Sequence, residues 1–243
     1  IDSGRSRSEF VATILEDLRW LGLHWDGEVI FQSERLDSYA LAADQLKARG
    51  LLYPCFCSRA ELRQLLVDRP QPESADGPAY PGTCRHLDPQ LARKRAATEP
   101  HSWRLDIVKA MAIAGPLQWM DERHGPQACH PERLGDVILV PKEMPVAYHL
   151  AVTLDDARDG ISHVVRGDDL FASTHIHRLL QALLELPTPV YFHHGLLCDG
   201  KGEKLSKSRD SASLSVLRKG GQNGHDLLHD LRQGIFPVGI SLL

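Results

Sequence analysis

The second half of the chain alternates between strand-like and helix-like segments, and this alternation restricts the fold more than any other feature. Strands are predicted for "PVAYHLAVTLDD" (145–156), "ISHVVRG" (161–167) and "PVYFHHGLLCD" (189–199), which are mainly apolar runs. A helix is predicted for "STHIHRLLQALLEL" (173–186). Because strands joined through a helix usually pair in parallel, the pattern predicts an α/β fold built on a parallel sheet.

Two further helices are predicted near the start of the chain. The first has apolar residues at helical spacing between Phe10 and Leu21 and ends at Gly22. The second runs from about Leu36 to Arg49. Between these helices and the alternating region, the strand-like runs "LLYPCFC", "SWRLDIV" and "LQWMD" predict a mostly β segment, interrupted by a Pro- and Gly-rich loop over 68–83.

This pattern divides the chain into four parts. We predict the first half of an α/β catalytic domain over 1–50, a β-rich insertion over 51–134, the second half of the domain over 135–208, and a short helical tail over 209–243. The chain opens without Met and without a leading strand, so we expect a segment upstream of Ile1.

A cationic loop, "DGKGEKLSKSRD" (199–210), follows the last predicted strand. The chain as a whole is mildly acidic, with 28 Lys plus Arg against 32 Asp plus Glu. Ligands of open parallel sheets bind beyond the carboxyl ends of the strands, and lysines on a glycine-containing loop suit phosphate groups. The alternative is a solvated surface loop, because short Lys/Ser runs are common.

Five cysteines, without a secretory signal, indicate a reducing compartment, and we expect a cytoplasmic protein. Cys55 and Cys57 form a tight pair, and Cys84 follows across the Pro- and Gly-rich loop. Three thiolates with one more donor would satisfy tetrahedral zinc. The alternative is that the three cysteines pack as small apolar side chains. Cys129 and Cys198 carry no signal of their own.

Several short runs together resemble the glutamyl and glutaminyl branch of the class I aminoacyl-tRNA synthetases. "GEKLSKS" is similar to the KMSKS signature, and "HVVRGDDLFAST" (163–174) is similar to the "RGxDLxxST" run. "VAYHLAVTLDD" (146–156) resembles the "YxxAxxxDD" strand, "LGLHWDG" (21–27) the "LGLxWD" run, and the opening "ID" with Arg5 the end of "EDIDxxR". The resemblance implies a Rossmann-type parallel sheet, incomplete at its N-terminus, with a β-rich, acceptor-binding-like insertion over 51–134 that carries a zinc site.

Only 35 residues follow Ser208, and this brevity resembles the glutamyl-queuosine tRNA(Asp) synthetases, the short paralogues of the group. The resemblance implies a ligase that activates L-glutamate with ATP and Mg²⁺ and transfers it to the queuosine base of tRNA(Asp). We expect a monomer without membrane contact. Two alternatives stay open: a fragment of an ordinary glutamyl-tRNA synthetase, and a non-catalytic, zinc-containing tRNA-binding remnant.

The resemblance also implies roles for individual residues. Lys207, assisted by Lys204, would contact ATP and act in catalysis, and Ser206 would add a donor to the same nucleotide. Arg166 would bind a carboxylate of glutamate, since a guanidinium matches a carboxylate with two donors. Tyr148 would line the same pocket.

The resemblance also implies the metal ligands. The short paralogues use Cys, Cys, Tyr and Cys in this order, and the matching residues here are Cys55, Cys57, Tyr80 and Cys84. Full-length glutamyl enzymes place a histidine where this chain has His86, so the fourth ligand stays ambiguous between Tyr80 and His86. Such a zinc ion would be structural. No H-x-G-H pattern occurs in the chain, and the matching motif is expected upstream. We therefore expect either a longer protein or a degenerate paralogue without activity.

Overall fold

The computed structural model describes residues 7–66, 79–205 and 213–242, which fall into two compact units. Of the described residues, 31–66 and 79–194 belong to one unit, and 7–30, 195–205 and 213–242 belong to the other. Within the described ranges, no helix is long and apolar enough to cross a bilayer. Ser206 and Lys207 lie outside the described residues.

Helices and strands alternate along most of the described chain. The helices are α1 (Ser8–Trp20), α2 (Leu36–Ala48), α3 (Arg59–Leu66), α4 (Pro89–Ala96), α5 (Ile107–Ala114), α6 (Tyr148–Arg158), α7 (Ser173–Leu183), α8 (Leu214–Lys219) and α9 (Gly224–Arg232). The strands are β1 (Leu52–Cys55), β2 (Ser102–Leu105), β3 (Gln118–Asp121), β4 (Gly125–Ala128), β5 (Ile138–Val140), β6 (His163–Gly167), β7 (Val190–His194), β8 (Leu197–Asp199) and β9 (Ile240–Leu242). Short 3₁₀ turns cover Gln32–Glu34, Pro131–Leu134 and Asp168–Leu170.

Two sheets organise the unit from Phe31 to His194. Strands β1, β2 and β5 form an antiparallel sheet, and a second sheet has the order β4-β3-β7-β6. Strand β7 is parallel to both β6 and β3, while β3 and β4 form an antiparallel hairpin. The α/β prediction is confirmed in this coarse form, with a mixed sheet. Two strands from the end of the predicted insertion pair in the same sheet as β6 and β7.

The core of this unit lies where α2, α5, α6 and α7 pack together with the antiparallel sheet. Leu46, Leu105, Leu139, Leu150 and Ile176 are completely buried there. An ion-pair cluster at the edge of the core fixes α2 against α6. The Arg35 guanidinium pairs with Asp155 at 2.8 Å and with Asp159 at 2.6 Å, and the Tyr39 hydroxyl donates to Asp155.

The second unit is assembled from both ends of the described chain. The Arg218 guanidinium of α8 pairs with Glu16 at 2.6 Å and with Asp17 at 2.8 Å, so α8 is fixed against α1. Helix α9 begins at Gly224, directly against the carbonyl of Trp20. A Cβ atom at position 224 would lie 2.1 Å from that oxygen, and only glycine fits this approach. Strands β8 and β9 pair antiparallel.

The predicted strand over 145–156 is wrong, because this segment forms helix α6. Its buried apolar residues Leu150 and Ala151 follow the buried Val146 at spacings of four and five, and all three belong to one core. Short apolar runs do not distinguish a buried strand from a buried helix, and here the helical period decides. Tyr148 therefore begins a helix instead of lying within a strand.

Two other predicted strands are shorter than expected. "SWRLDIV" is a strand only as far as Leu105, because the Asp106 side chain accepts a hydrogen bond from the Lys109 N–H and caps α5. "PVYFHHGLLCD" divides into β7 and β8. The strand before the KLSKS loop is β8, whose partner β9 is antiparallel, so the expected position beyond a parallel strand is also wrong.

Candidate active site

Arg166 lies near the end of β6, and neutral side chains hold its guanidinium on three sides. Its Nε donates to Nε2 of His193 at 3.1 Å, and its Nη1 donates to Nδ1 of His177 at 3.1 Å. Its Nη2 donates to the Thr174 hydroxyl. Three of five N–H groups are thus occupied, and one on each Nη atom has no partner among the described residues.

The hydrogen bonds on the His177 side fix the position of a proton. His177 is buried, and burial together with the nearby Arg166 charge holds the pKa of its imidazole well below the usual range. The ring is therefore neutral. Since Nδ1 accepts from Arg166, Nε2 carries the hydrogen and donates to Nδ1 of His149 at 3.1 Å. The neutral His177 ring thus supports the guanidinium and is itself held by its hydrogen bond to His149.

A second chain of hydrogen bonds connects Arg166 to Asp121. His193 accepts from Arg166 through Nε2 and donates from Nδ1 to Asp121 Oδ2 at 2.7 Å. Burial lowers the pKa of His193, against the opposing effect of Asp121, so this ring is also neutral. Burial by itself raises the pKa of Asp121. Hydrogen bonds from His193 and from two backbone N–H groups outweigh that effect, so the pKa is lowered and the carboxylate is charged.

The positive charge of Arg166 has no carboxylate within ion-pair distance among the described residues. Asp168 is only two residues from Arg166 in the sequence, but it pairs with Arg123 at 2.9 Å. The Arg166 charge influences the pKa of Asp156, although no ion pair joins the two side chains. Burial raises the pKa of Asp156 to about 6, against the opposing effect of Arg166.

Tyr148 contacts the same imidazole, His177, that accepts from Arg166. Its ring packs edge-to-face against the His177 ring with the centroids 5.7 Å apart. The side chain is 41% exposed, and it lines a cavity of about 550 Å³. Both predicted glutamate-binding residues thus contact one buried imidazole, His177.

Cys55, Cys57 and Cys84 form a compact cluster, in which all sulfur atoms lie within 4.8 Å of one another. The Tyr80 hydroxyl lies 3.4 Å from the sulfur atoms of Cys55 and Cys57 and accepts from the Cys84 N–H at 2.9 Å. Among the described residues, these three cysteines are the metal-ligand cluster that the geometry yields. His86 is exposed and lies outside it.

The cluster favours a thiolate. The pKa of Cys55 is lowered to about 4, first by the hydrogen bond from Cys84 and then, against burial, by Tyr80 and Arg104. The pKa of Cys84 moves upward, because the shared proton stays with it. A negatively charged sulfur among three close donors is what a soft divalent cation requires, and the cluster could hold a metal such as zinc.

Lys204 is the described lysine of the KLSKS loop, and it lies on the returning arm of a tight hairpin. Lys204 forms a β-bridge with Cys198, and the Leu205 N–H donates to the Leu197 carbonyl at 2.8 Å. Gly202 turns the chain with a φ of 77°. The other predicted ATP contacts, Ser206 and Lys207, lie outside the described residues.

Comparison with known proteins identifies the fold and the family. The sequence profile of "tRNA synthetases class I (E and Q), catalytic domain" matches residues 1–240. The glutamate-tRNA synthetase of Elizabethkingia anophelis superimposes with a TM-score of 0.68 and 26% identity, over 85% of this chain and 44% of that protein. A glutamate tRNA ligase from Elizabethkingia meningosepticum shows the same fold, with a TM-score of 0.67 and 24% identity over 86% and 44% of the two chains. Fold and site thus define a class I synthetase catalytic domain.

Curated relatives narrow the assignment. The glutamyl-Q tRNA(Asp) synthetase of Rhodobacter capsulatus is 42% identical over 234 residues, which cover 93% of this chain and 83% of that protein. That of Symbiobacterium thermophilum is 38% identical and covers 91% and 69%. The chain belongs to the glutamyl-Q tRNA(Asp) synthetase family, so the resemblance predicted from the motifs is confirmed.

The sequence did not predict the hydrogen-bonded side chains that support Arg166. No sequence motif marked His177, His193 or Asp121 as part of the site. One available signal was "YFHH", because two histidines in an apolar strand must either reach solvent or find buried partners. Their common partner could not be read from the sequence.

Proposed function

We propose that this protein activates L-glutamate with ATP and transfers it to the queuosine base of tRNA(Asp). The observation that carries the proposal is the Arg166 guanidinium, which is positioned by neutral acceptors and keeps an uncompensated charge beside Tyr148. Such a group is poised for an anionic ligand, and the glutamyl-Q relatives supply the identity of that ligand.

The donors of Arg166 that remain without a partner among the described residues match a carboxylate of glutamate. Two N–H groups of Arg166, one on each Nη atom, have no partner among the described residues, and a carboxylate accepts two such donors side by side. Because Thr174, His177 and His193 already fix the rotamer, little side-chain entropy is lost on binding. The Tyr148 hydroxyl would add one further hydrogen bond at the wall of the pocket.

Activation requires the glutamate carboxylate to attack the α-phosphate of ATP and release pyrophosphate. Negative charge shifts onto the leaving pyrophosphate, so catalysis depends on positioning and on nearby positive charge. By resemblance, Lys204 and Lys207 would supply that charge, with Ser206 donating to the nucleotide and Mg²⁺ accompanying ATP.

A zinc ion fits the cysteine cluster. With Zn–S bonds of about 2.3 Å, two sulfur ligands of a tetrahedron lie about 3.8 Å apart, and a sulfur and an oxygen ligand about 3.5 Å. The Cys57 and Cys84 sulfurs are 3.6 Å apart, and the Tyr80 oxygen is 3.4 Å from the sulfurs of Cys55 and Cys57. These distances favour Tyr80 over the exposed His86 as the fourth ligand. With four protein ligands the zinc would stabilise the fold and take no part in the reaction.

A charging assay on the full-length protein tests the function. Labelled glutamate should be incorporated into tRNA(Asp) that contains queuosine, and the incorporation should survive removal of the 3′-terminal adenosine. The same tRNA with guanosine at the wobble position is the matched control and should accept nothing. Charging of tRNA(Glu) at its 3′ end would instead identify an ordinary glutamyl-tRNA synthetase.

A further inference from the structure

A cavity of about 360 Å³ opens beside the cysteine cluster. Cys57 lines it, together with Glu61, Gln64 and Thr83. A water molecule takes up about 30 Å³ in the liquid, so the cavity has room for a small polar reagent. One of the three clustered cysteines can therefore be reached from outside.

The three clustered cysteines differ in exposure. Cys55 and Cys84 are 2% and 8% exposed, whereas Cys57 is only half-buried. In a zinc-bound cluster all three sulfurs would be thiolates, because zinc binds the deprotonated form. Access then decides which sulfur meets a reagent first, and it favours Cys57.

A positive charge lies next to Cys57. The Lys142 ammonium group donates to the carbonyls of Phe56 and Cys57 at 3.0 and 3.2 Å, and no described carboxylate lies within ion-pair distance of it. The opposing charge in the cavity lining is Glu61, whose carboxylate accepts from the Ser58 N–H at 2.7 Å. Reactive cysteines typically lie in partly exposed surroundings with a nearby cation. Cys57 meets both conditions.

A second thiol is close enough to complete an oxidation. The sulfur atoms of Cys57 and Cys84 lie 3.6 Å apart, although 27 residues separate them in the sequence. A disulfide bond is about 2.05 Å long, so the two sulfurs must approach by about 1.5 Å. Oxidation-sensitive cysteines are commonly accessible and adjacent to such a resolving cysteine. Cys129 lies outside the cluster.

We propose that Cys57 is a site of oxidation by hydroperoxides, that Cys84 resolves the oxidised sulfur, and that the reaction releases the metal. The inference rests on the proposed zinc ion. The Cys57 thiolate attacks one oxygen of the peroxide, the O–O bond breaks, and hydroxide leaves, which gives a sulfenic acid. The Cys84 thiolate then attacks the Cys57 sulfur, the S–OH bond breaks, and a second hydroxide leaves. Two thiolates thus lose two electrons to the peroxide, and one disulfide forms.

The disulfide removes two of the proposed zinc ligands. Only Cys55 and Tyr80 remain, and two donors do not complete a tetrahedral site. The zinc ion therefore leaves, and the segments around Cys57 and Cys84 are joined by the disulfide instead of the metal. Reduction by a thiol regenerates both ligands, so the change is reversible.

The test is treatment of the zinc-loaded full-length protein with hydrogen peroxide. A chromogenic chelator should detect about one zinc ion released for each disulfide formed, and peptide mass spectrometry should find Cys57 joined to Cys84. Dithiothreitol with added zinc should restore the metal content. The proposal is overturned if zinc stays bound, or if Cys55 or Cys129 is oxidised before Cys57.

A variant that keeps every ligand separates oxidation from simple loss of metal binding, which Cys57→Ser cannot do. Lys142→Gln should slow zinc release several-fold, the scale of one exposed charge. Lys94→Gln on α4 removes the same charge away from the cavity lining and should react as the parent does. Equal rates in Lys142→Gln and the parent would count against the proposed site. If the purified protein contains no zinc, the metal assignment fails, while disulfide mapping of the metal-free protein still tests the thiol pair.

Discussion

The Nε atom of Arg166 lies 3.1 Å from Nε2 of His193, and the other nitrogen of that ring lies 2.7 Å from the Asp121 carboxylate. The imidazole therefore connects a buried carboxylate to the guanidinium and helps to fix the orientation of the guanidinium. Because the carboxylate does not contact Arg166 directly, the positive charge of Arg166 is not neutralised by an ion pair. Direct pairing with a carboxylate would have occupied the donors that a substrate needs. Asp121 and His193 are positioning residues in this arrangement, and Arg166 is the group that meets the ligand.

Arg166→Lys should weaken glutamate use by about 2–3 kcal/mol, because an ammonium group cannot reproduce the two-donor contact. The effect should appear in KM for glutamate or in turnover of the exchange reaction, with KM for ATP nearly unchanged. Unaltered glutamate kinetics would show that Arg166 has only a structural role.

Asp121→Asn should raise KM for glutamate about tenfold and change kcat by less than about threefold, because Arg166 keeps its charge but loses its fixed orientation. The matched control is Asp168→Asn, which removes the acidic partner of Arg123 and should leave KM unchanged. A variant with reduced thermal stability, unchanged KM and proportionally fewer active molecules would contradict the positioning role.

Asp156→Asn should stabilise the protein at neutral pH. Burial raises the pKa of Asp156 from its ordinary value to about 6, so its charged form is disfavoured in the folded state. The stability linked to the protonated group is complete below pH about 4 and is lost as pH rises through about 6. The variant and the parent should therefore unfold alike at pH 4, and the variant should be more stable by roughly 1–3 kcal/mol at pH 7.5 in urea titrations. A constant difference at all pH values would contradict this origin.

Freshly purified protein should contain about one zinc ion per chain, and Cys84→Ser should lose it, because a thiolate is replaced by a weak oxygen donor. Elemental analysis measures the zinc content directly. Cys129→Ser is the control, since Cys129 lies outside the cluster and should keep the metal. Zinc-free parent protein would refute the assignment.

Lys207→Ala should slow glutamate-dependent ATP–pyrophosphate exchange in the full-length protein by on the order of 100-fold, the scale of one lost preorganised donor. Glutamate affinity should change little. Lys201→Ala removes the same charge from the same loop outside the KLSKS run and should have a small effect. Equal effects of the two substitutions would indicate that only the overall charge of the loop matters.

Local patterns in the sequence predicted local structure well. Ser58-x-x-Glu61 has the form of a capping box, and the structure contains both reciprocal hydrogen bonds, from Ser58 N–H to Glu61 at 2.7 Å and from Glu61 N–H to Ser58 at 3.2 Å. Helix α2 begins at Leu36 as predicted and ends one residue before Arg49. These features depend on residues a few positions apart, so a short window of sequence contains all the partners.

Features that depend on distant partners were not predictable in this way. The three side chains that contact the Arg166 guanidinium come from α7 and β7, and the pairing of β3 with β7 brings Asp121 to His193 across 72 residues. The Cys55-x-Cys57 spacing predicted the cluster, whereas the approach of the Tyr80 hydroxyl to two of the sulfurs is a contact across 25 and 23 residues. Helix α6 was mistaken for a strand because tertiary packing, not composition, decides between buried helix and buried strand.

The ion pair between Glu16 and Arg218 closes a separation of 202 residues. During synthesis α1 leaves the ribosome long before the residues that cover it exist, and most of the intervening chain belongs to the other compact unit. At typical elongation rates of about 5–20 residues per second, α1 waits on the order of ten seconds or more for α8 and α9. The order of translation therefore lets the unit that contains α2 to α7 fold first. The unit that contains α1, α8 and α9 is completed only after α8 and α9 emerge.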